Sequence, residues 1–249
     1  MVTTLAVDCG GTGIKASVLD AEGFSTQEAL RIPTPYPLST ARFLDTIVRL
    51  SETLPAAARA TVGLPGMVRH GVVVQTPHYV TVSGPRSRLD PELVRQWHGF
   101  DARAALTSRL GVPTIVLNDA EVHGAGVIQG TGMELVLTLG TGLGCAVFDN
   151  GVLAPHLELS QAPVRRGLIY DTYIGDRERR RLGPSLWSRR VRRVVEALRP
   201  VFVWDRLYLG GGNARVISPD VVSTLGPDVT IVPNSAGIVG GVRVWQQRV

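Results

Sequence analysis

Apolar and polar positions alternate in two short runs near the start of the chain, Leu5–Asp8 and Ile14–Leu19, separated by Gly10-Gly11-Thr12-Gly13. A period of two interrupted by glycine predicts strand, turn, strand. Arg31–Pro37 reads as an extended linker, and Ser39 or Thr40 then caps a helix to about Leu54 on the spacing of Phe43, Ile47, Val48 and Leu50. Thr61–Leu64 is a buried strand stopped by Pro65-Gly66, and Gly71–Gln75 is another. Pro77–Trp97 is polar and proline-broken, a surface loop by pattern. Asp101–Leu110 reads as a helix, and Pro113–Leu117 as a buried strand that delivers Asn118-Asp119 to its carboxyl end. The opening unit then recurs: Glu134–Leu139, a Gly140-Thr141-Gly142-Leu143-Gly144 turn, and Cys145–Phe148. Arg206–Leu209 enters Gly210-Gly211-Gly212-Asn213, Val229–Val232 is a last strand, and Ser235 caps a final helix carrying Ile238, Val239, Val242 and Trp245.

A strand–turn–strand unit used twice predicts two similar α/β lobes, residues 1–118 and 119–249, facing each other across a cleft. It also excludes two other phosphate motifs. A Walker loop needs a strand, a loop ending in Gly-Lys-Ser/Thr and a helix, and a dinucleotide fingerprint needs glycines that open a helix.

Composition adds limits. With 44% hydrophobic and 19% charged residues over 249 positions, the chain can fill a core, and disorder is excluded. No run approaches the roughly 18 apolar residues of a membrane span. The N-terminal stretch has neither a basic region nor a cleavage signal, so a cytoplasmic location is expected. Cys9 and Cys145 sit in apolar, glycine-flanked segments and read as buried thiols rather than a disulfide or a zinc site. The net charge of +5 comes almost wholly from arginine, since Lys15 is the one lysine. That balance suits a polyanionic partner without choosing among nucleotide, polyphosphate and nucleic acid.

The chemistry concentrates in a few places. Phosphate loops need backbone N–H groups aimed at oxygen with no side chain in the way. Gly10-Gly11-Thr12 and Gly140-Thr141-Gly142 both offer this, each with a threonine hydroxyl. Asp8 can hold Mg²⁺ through water, and Lys15 can supply charge to the transferred group. An ordinary hairpin turn is the alternative for either loop alone; the repetition argues against it. Asp119, at the end of a buried strand, is placed to take a proton from an attacking hydroxyl, with Asn118 bonding neighbouring hydroxyls. The competing role for this pair is to cap the helix starting at Ala120.

These residues resemble the ROK family. The resemblance rests on Asp8-Cys9-Gly10-Gly11-Thr12-Gly13-Ile14-Lys15, Ile32-Pro33-Thr34-Pro35 and Gly63 to Gly71, then on Leu117-Asn118-Asp119-Ala120, Leu137 to Gly142, Leu209 to Gly212 and Asn234 to Gly240. Within the family it is nearest the polyphosphate glucokinase branch. The resemblance implies an actin-like, ribonuclease-H-type fold of two α/β lobes, with a final helix, 236–249, packing back on the first. It implies a sugar kinase that uses ATP or inorganic polyphosphate with Mg²⁺ to phosphorylate a hexose. Asp119 would be the general base, Gly66, Asn118 and Glu158 would lie on the sugar, and Gly210, Gly211, Gly212 and Asn213 on the nucleotide. Gln161 stands where the family has a histidine of its Glu-Leu-Gly-His segment, and Ala162–Gly167 lacks the second glutamate common in its glucokinases. The Pro77–Trp97 loop is longer than theirs. Homodimers are common among family members.

Three other readings compete. A catalytically weak or inactive sugar-binding regulator would fit Gln161, although the family's repressors carry a DNA-reading domain ahead of the first motif, which here begins at Leu5. The arginines between Arg177 and Arg193 fall outside the apolar face of Trp187, Val191, Val194, Val195 and Leu198, as a solvated helix face would; a polyphosphate groove is the sharper alternative. Nucleic-acid binding has only charge behind it, with no interleaved aromatics.

Overall fold

A computed structural model describes residues 2–25, 27–233 and 236–247. The chain divides into one unit of residues 1–126 with 237–246, and a second of 127–236 with 247–249.

The first unit opens with β1 (Thr4–Cys9), β2 (Gly13–Leu19) and β3 (Leu30–Pro33), followed by α1 (Thr40–Glu52) and β4 (Arg59–Leu64). A small three-stranded sheet, β5 (Met67–Arg69), β6 (Val72–Gln75) and β7 (Phe100–Asp101), encloses the helix α2 (Pro91–Trp97) in sequence. Then come α3 (Ala102–Leu110), β8 (Thr114–Asn118) and α4 (Asp119–Ala125). The main sheet has the order β3-β2-β1-β4-β8, with β1, β4 and β8 parallel and the β1–β2–β3 meander antiparallel. The supposed linker is thus partly β3: Ile32 and Arg31 pair with Ile14 and Lys15, and the prolines begin only where pairing ends.

The second unit repeats that plan. Its strands are β9 (Met133–Leu139), β10 (Leu143–Asp149) and β11 (Val152–Leu153), then a small pair, β12 (Pro163–Arg165) and β13 (Leu168–Ile169). Helices α5 (Tyr170–Ile174) and α6 (Asp176–Phe202) precede β14 (Arg206–Gly210), α7 (Pro219–Val222) and β15 (Val229–Ile231), after which α8 (Ala236–Arg243) belongs almost wholly to the first unit. The five-stranded sheet runs β11-β10-β9-β14-β15, position for position the order of the first. The long α6 is broken at Gly183, whose φ of 74° and ψ of 167° are not helical, and Pro184 follows the break. Its apolar stripe is the one expected: Trp187, Val191, Val194, Val195 and Leu198 are all buried, and the Trp187 indole donates to Ile174 O at 2.8 Å.

Local signals account for most helix starts. Ser39, Asp90, Asp101 and Asn118 each cap a helix by accepting from a backbone N–H in its first turn. The expected cap Ser235 lies outside the described residues. Packing moves two boundaries. The division between units falls after α4 rather than before it, because α4 lies on β4 and β8 of the first sheet. Residues 237–246 belong to the first unit, and α8 approaches it through glycine: a Cβ at Gly240 would lie 1.7 Å from Val122 O, and one at Gly241 would lie 2.6 Å from the Ala6 methyl. The Gly241 carbonyl accepts from Thr61 Oγ1 at 2.7 Å, and Thr61 Oγ1 accepts from the Trp245 indole at 2.9 Å.

The Pro77–Trp97 segment is not simply a surface loop. Tyr79, Val80, Leu93 and Trp97 are buried, and α2 closes the segment. Trp97 forms the hub of an aromatic group, with ring centroids 5.3 Å from Phe43, 5.1 Å from Tyr79 and 5.6 Å from Phe100. Its indole donates to Leu38 O at 2.8 Å. Trp97→Ala removes this hub and leaves a buried carbonyl unpaired, so urea denaturation should show a loss of about 3–5 kcal/mol; an unchanged midpoint would contradict the packing described.

His123 on α4 is buried, and burial pushes its pKa down from 6.5 to about 4. An unfolded chain therefore takes up a proton below about pH 6.5 that the folded chain refuses until about pH 4, so this residue's contribution to stability is full above pH 6.5 and is lost as the pH falls through that window. The shift corresponds to roughly 3 kcal/mol. Urea midpoints at pH 7 and pH 4.5 should differ less for His123→Gln than for the parent.

Candidate functional site

In the first unit the turn between β1 and β2 is held from beneath by hydroxyl groups. The Gly10 carbonyl accepts from Thr34 Oγ1 at 2.8 Å and from the Tyr79 hydroxyl at 3.4 Å, and the Gly11 carbonyl accepts from the Tyr36 hydroxyl at 2.8 Å. The Gly10 amide closes the turn on Gly13 O at 2.9 Å. With both carbonyls held, the amides of Gly11 and Thr12 have no acceptor among the described residues. Such a pair of free N–H groups is a nest for an anion.

The β-ladder sets charges beside the turn. Asp8 on β1 pairs with Lys15 on β2, and Lys15 pairs with Arg31 on β3. Crowding by the surrounding protein raises the Asp8 pKa, while Lys15 and then Arg31 pull it back. Arg31 was missed in sequence because it sat in an apparent linker. Its pairing position follows from the meander register alone, and its guanidinium would lie 3.6 Å from a Cβ at Gly13.

Asn118 and Asp119 stand at the end of β8. Asn118 is buried and forms a capping box: its Oδ1 accepts from Ala120 N at 2.8 Å, and Glu121 Oε2 accepts from Asn118 N at 2.9 Å. Its Nδ2 donates to Gly66 O at 2.8 Å. The amide expected on a sugar is thus engaged in capping α4 and in holding Gly66, where φ is +102° and a Cβ would lie 2.4 Å from Gln75 O. Asp119 opens α4 and accepts from Ala120 N at 2.9 Å. Burial, followed by the charges of Asp8 and Asp119, raises the pKa of the Cys9 thiol. The Tyr79 phenol is raised in the same way, chiefly by burial and also by these two carboxylates. The backbone brings the two aspartates into one neighbourhood: Asp8 pairs with Gly63, and a Cβ at Gly63 would lie 3.3 Å from Asp119 Cα.

In the second unit the matching turn is held by a carboxylate and amides instead. Gly140 O accepts from Asp176 N at 3.1 Å and from Asn213 Nδ2 at 3.0 Å, and Asp171 Oδ1 accepts from Leu143 N at 3.0 Å. A Cβ at Gly142 would collide with that carboxylate, at 1.6 Å. Gly210 pairs with Thr138, and a Cβ at Gly211 would lie 2.5 Å from Leu139 O. The Gly140–Gly142 and Gly210–Asn213 motifs, far apart in sequence, are thereby brought together. Burial tends to raise the Asp176 pKa, but Arg179, Arg180 and Asn213 outweigh it and hold it low.

Glu158 and Gln161 both bond Ser160: its hydroxyl donates to Glu158 Oε1 at 2.6 Å and accepts from Gln161 Nε2 at 3.0 Å. His156 is buried 3.6 Å from Glu158 Oε2. Only its two-residue spacing from Glu158 hinted at this. Many arginines of α6 are committed to carboxylates. Arg181 and Arg190 pair with Glu178 at 2.7 and 2.8 Å, and Arg192 with Glu196 at 3.3 Å. Arg190 also lies over the Tyr173 ring, 4.5 Å from its centroid. Ion pairing with carboxylates thus accounts for part of the run, with the Arg179 and Arg190 side chains only 23% and 21% exposed. Cys9 and Cys145 are buried thiols. Among the described residues no group of three or more histidine, cysteine or acidic side chains is disposed to bind a metal, and no helix is long and apolar enough to cross a membrane.

Known proteins share this arrangement. The polyphosphate glucokinase of Mycobacterium tuberculosis (strain CDC 1551 / Oshkosh) is 28% identical over 248 residues, covering 94% of this chain and 88% of that one. The N-acetylmannosamine kinase of Escherichia coli (strain SE11) is 27% identical over 157 residues, 61% of this chain and 49% of that enzyme. Among solved structures, the inorganic polyphosphate/ATP-glucomannokinase of Arthrobacter sp. strain KM aligns with a TM-score of 0.79 at 29% identity, covering 99% of this chain and 100% of that one. A ROK family glucokinase from Streptomyces griseus, solved with glucose and AMPPNP, aligns with a TM-score of 0.72 at 19% identity over 97% of this chain and 98% of its own, and shares the fold. The fold is the two-lobed, actin-like α/β fold. The ROK family model matches residues 4–155, a span that contains both glycine turns, and the chain belongs to the ROK family.

Proposed function

We propose that the protein is a sugar kinase that passes a phosphoryl group from ATP or inorganic polyphosphate to a hexose hydroxyl. The observation that carries this reading is the shared neighbourhood of Asp119 and the Gly10–Thr12 turn, linked through Gly63, which pairs with Asp8 and abuts Asp119: a carboxylate able to take a proton stands near a nest able to hold an anion. In the step, the Asp119 carboxylate accepts the hydroxyl proton while the hydroxyl oxygen bonds to phosphorus. The bridging oxygen of the donor leaves with the electrons of the broken P–O bond. Gly11 and Thr12 amides, Lys15 and Arg31 balance charge on the transferred group. Gly140, Thr141 and Gly142 serve the remaining donor phosphates, with Gly210 to Gly212 and Asn213 at a nucleotide.

Among the described residues Asp8 is a single carboxylate rather than part of a protein cage, which suits Mg²⁺ held largely by substrate phosphates and water. That ion would neutralise phosphate charge. On the acceptor side, Gly66, Glu158 and Gln161 are the residues assigned to sugar hydroxyls. Asn118 contributes chiefly by setting the positions of Gly66 and Asp119 and has a lone pair of Oδ1 to spare.

A coupled assay of hexoses and amino sugars against ATP and polyphosphate with Mg²⁺ should show turnover with at least one pairing. Sugar binding by calorimetry with no product from either donor would instead mark a non-catalytic binder. Asp119→Asn should lower kcat by about 10²–10⁴ while leaving sugar affinity within a few-fold; normal turnover in that variant would remove Asp119 as the base.

A further inference from the structure

The segment from Thr76 to Asp90 touches both halves of the proposed chemistry within the first unit. On one side it lies against Gly66, where a Cβ would meet Gln75 O at 2.4 Å, Thr76 Cα at 2.8 Å and Pro77 Cδ at 3.0 Å. On the other it covers the anion nest: a Cβ at Gly11 would lie 2.8 Å from His78 Cδ2, 2.9 Å from His78 Cγ and 2.9 Å from Pro85 Cγ. His78 and Pro85 thus straddle the middle of the glycine turn, and Gly84 rests on the ring of Tyr36, whose hydroxyl holds Gly11 O.

This strap is built rather than loose. Thr81 is buried and its hydroxyl bonds His78 O at 2.6 Å and Gly84 O at 2.9 Å. Val82 N donates to Arg88 O at 3.0 Å, and Asp90 N to Val80 O at 2.8 Å. Next to His78, Tyr79 is wholly buried in the Trp97 aromatic group and reaches back to Gly10 O. The backbone of His78 is therefore held from both sides, and the side chain is only half-buried.

The imidazole itself is what lies against Gly11, through Cδ2 and Cγ. A phosphoryl group seated on the Gly11 and Thr12 amides would therefore have the His78 ring in its neighbourhood. We propose that His78 is a substrate-contacting residue that hydrogen-bonds the phosphoryl group between the glycine turn and the acceptor, carried there by the Thr76–Asp90 strap. The inference rests on the sugar-kinase reading for its place in the reaction, but the anion contact can be tested apart from turnover. An imidazole N–H donates to a phosphoryl oxygen in either protonation state, and a hydrogen bond to a charged partner is strong enough to show in rate.

The experiment compares the parent with His78→Phe, which keeps a ring on Gly11 but no donor, and His78→Gln, which keeps a donor. Two readings are taken: kcat/KM with each donor, and the rise in melting temperature on adding tripolyphosphate. His78→Phe should lose about tenfold to a hundredfold in kcat/KM and most of the tripolyphosphate shift, with His78→Gln recovering much of both. If His78→Phe folds poorly, His78→Leu poses the same question. Variants without a donor that match the parent within twofold in both readings would reduce His78 to a packing wall and overturn the proposal. A parent that gives no product with any sugar would defeat the kinase reading, while the tripolyphosphate shift would still decide whether His78 contacts the anion.

Discussion

The constraint on which the rest depends is the tethering of two carbonyl groups, those of Gly10 and Gly11. A glycine turn between strands is conformationally free, and free turns make poor phosphate sites because ordering them on binding costs about 1–2 kcal/mol per residue. Here Thr34, Tyr36 and Tyr79 meet that cost during folding, each by one hydroxyl bond. Their own positions come from further away. Thr34 follows β3, Tyr36 lies under Gly84 of the strap, and Tyr79 is set in the aromatic group around Trp97. The hydrophobic core of the first unit and its anion nest are thus one construction.

The second unit uses the same strand order but a different tether. Asp171, Asp176 and Asn213 do for Gly140–Leu143 what three hydroxyls do for Gly10–Gly11. A carboxylate packed beside a phosphate loop would repel its ligand. Both are accounted for: Asp171 is engaged with the Leu143 amide, and Asp176 is surrounded by Arg179 and Arg180. Part of the arginine run on α6 therefore balances charge that the loop's architecture introduces, which is a sufficient reason for its position near the helix start.

The topology was largely legible in the sequence because it rests on local signals. Period-two runs flanking Gly10–Gly13 and Gly140–Gly144 gave both hairpins, and Ser39, Asp101 and Asn118 marked helix starts. Both glycine turns, Lys15 and Asp119 were read off as candidates for the same reason. What escaped was set by long-range packing. β3 was hidden because Pro33, Pro35 and Pro37 masked a strand only four residues long. The Pro77–Trp97 segment looked like a loop because its buried residues, Tyr79, Val80, Leu93 and Trp97, follow no single period, and Tyr79 and Trp97 pack on Phe43, a residue distant in the chain. Arg31 and His78 were missed along with the elements that carry them.

Asn118 shows why a residue's two candidate roles were not true alternatives. As a cap it orients the first turn of α4, and so the Asp119 carboxylate; through Nδ2 it also holds the Gly66 carbonyl, and so the strand turn against which the strap begins. A side chain with these bonds cannot swing out to follow a sugar, so the part of the site it organises is preformed before any acceptor arrives. Under the proposed function, selectivity at that end would depend on the shape set by Gly66 and the strap more than on adaptable amide contacts. On the same reading, a longer strap in place of a short connection would alter which hydroxyl reaches the phosphoryl group without changing the proposed base.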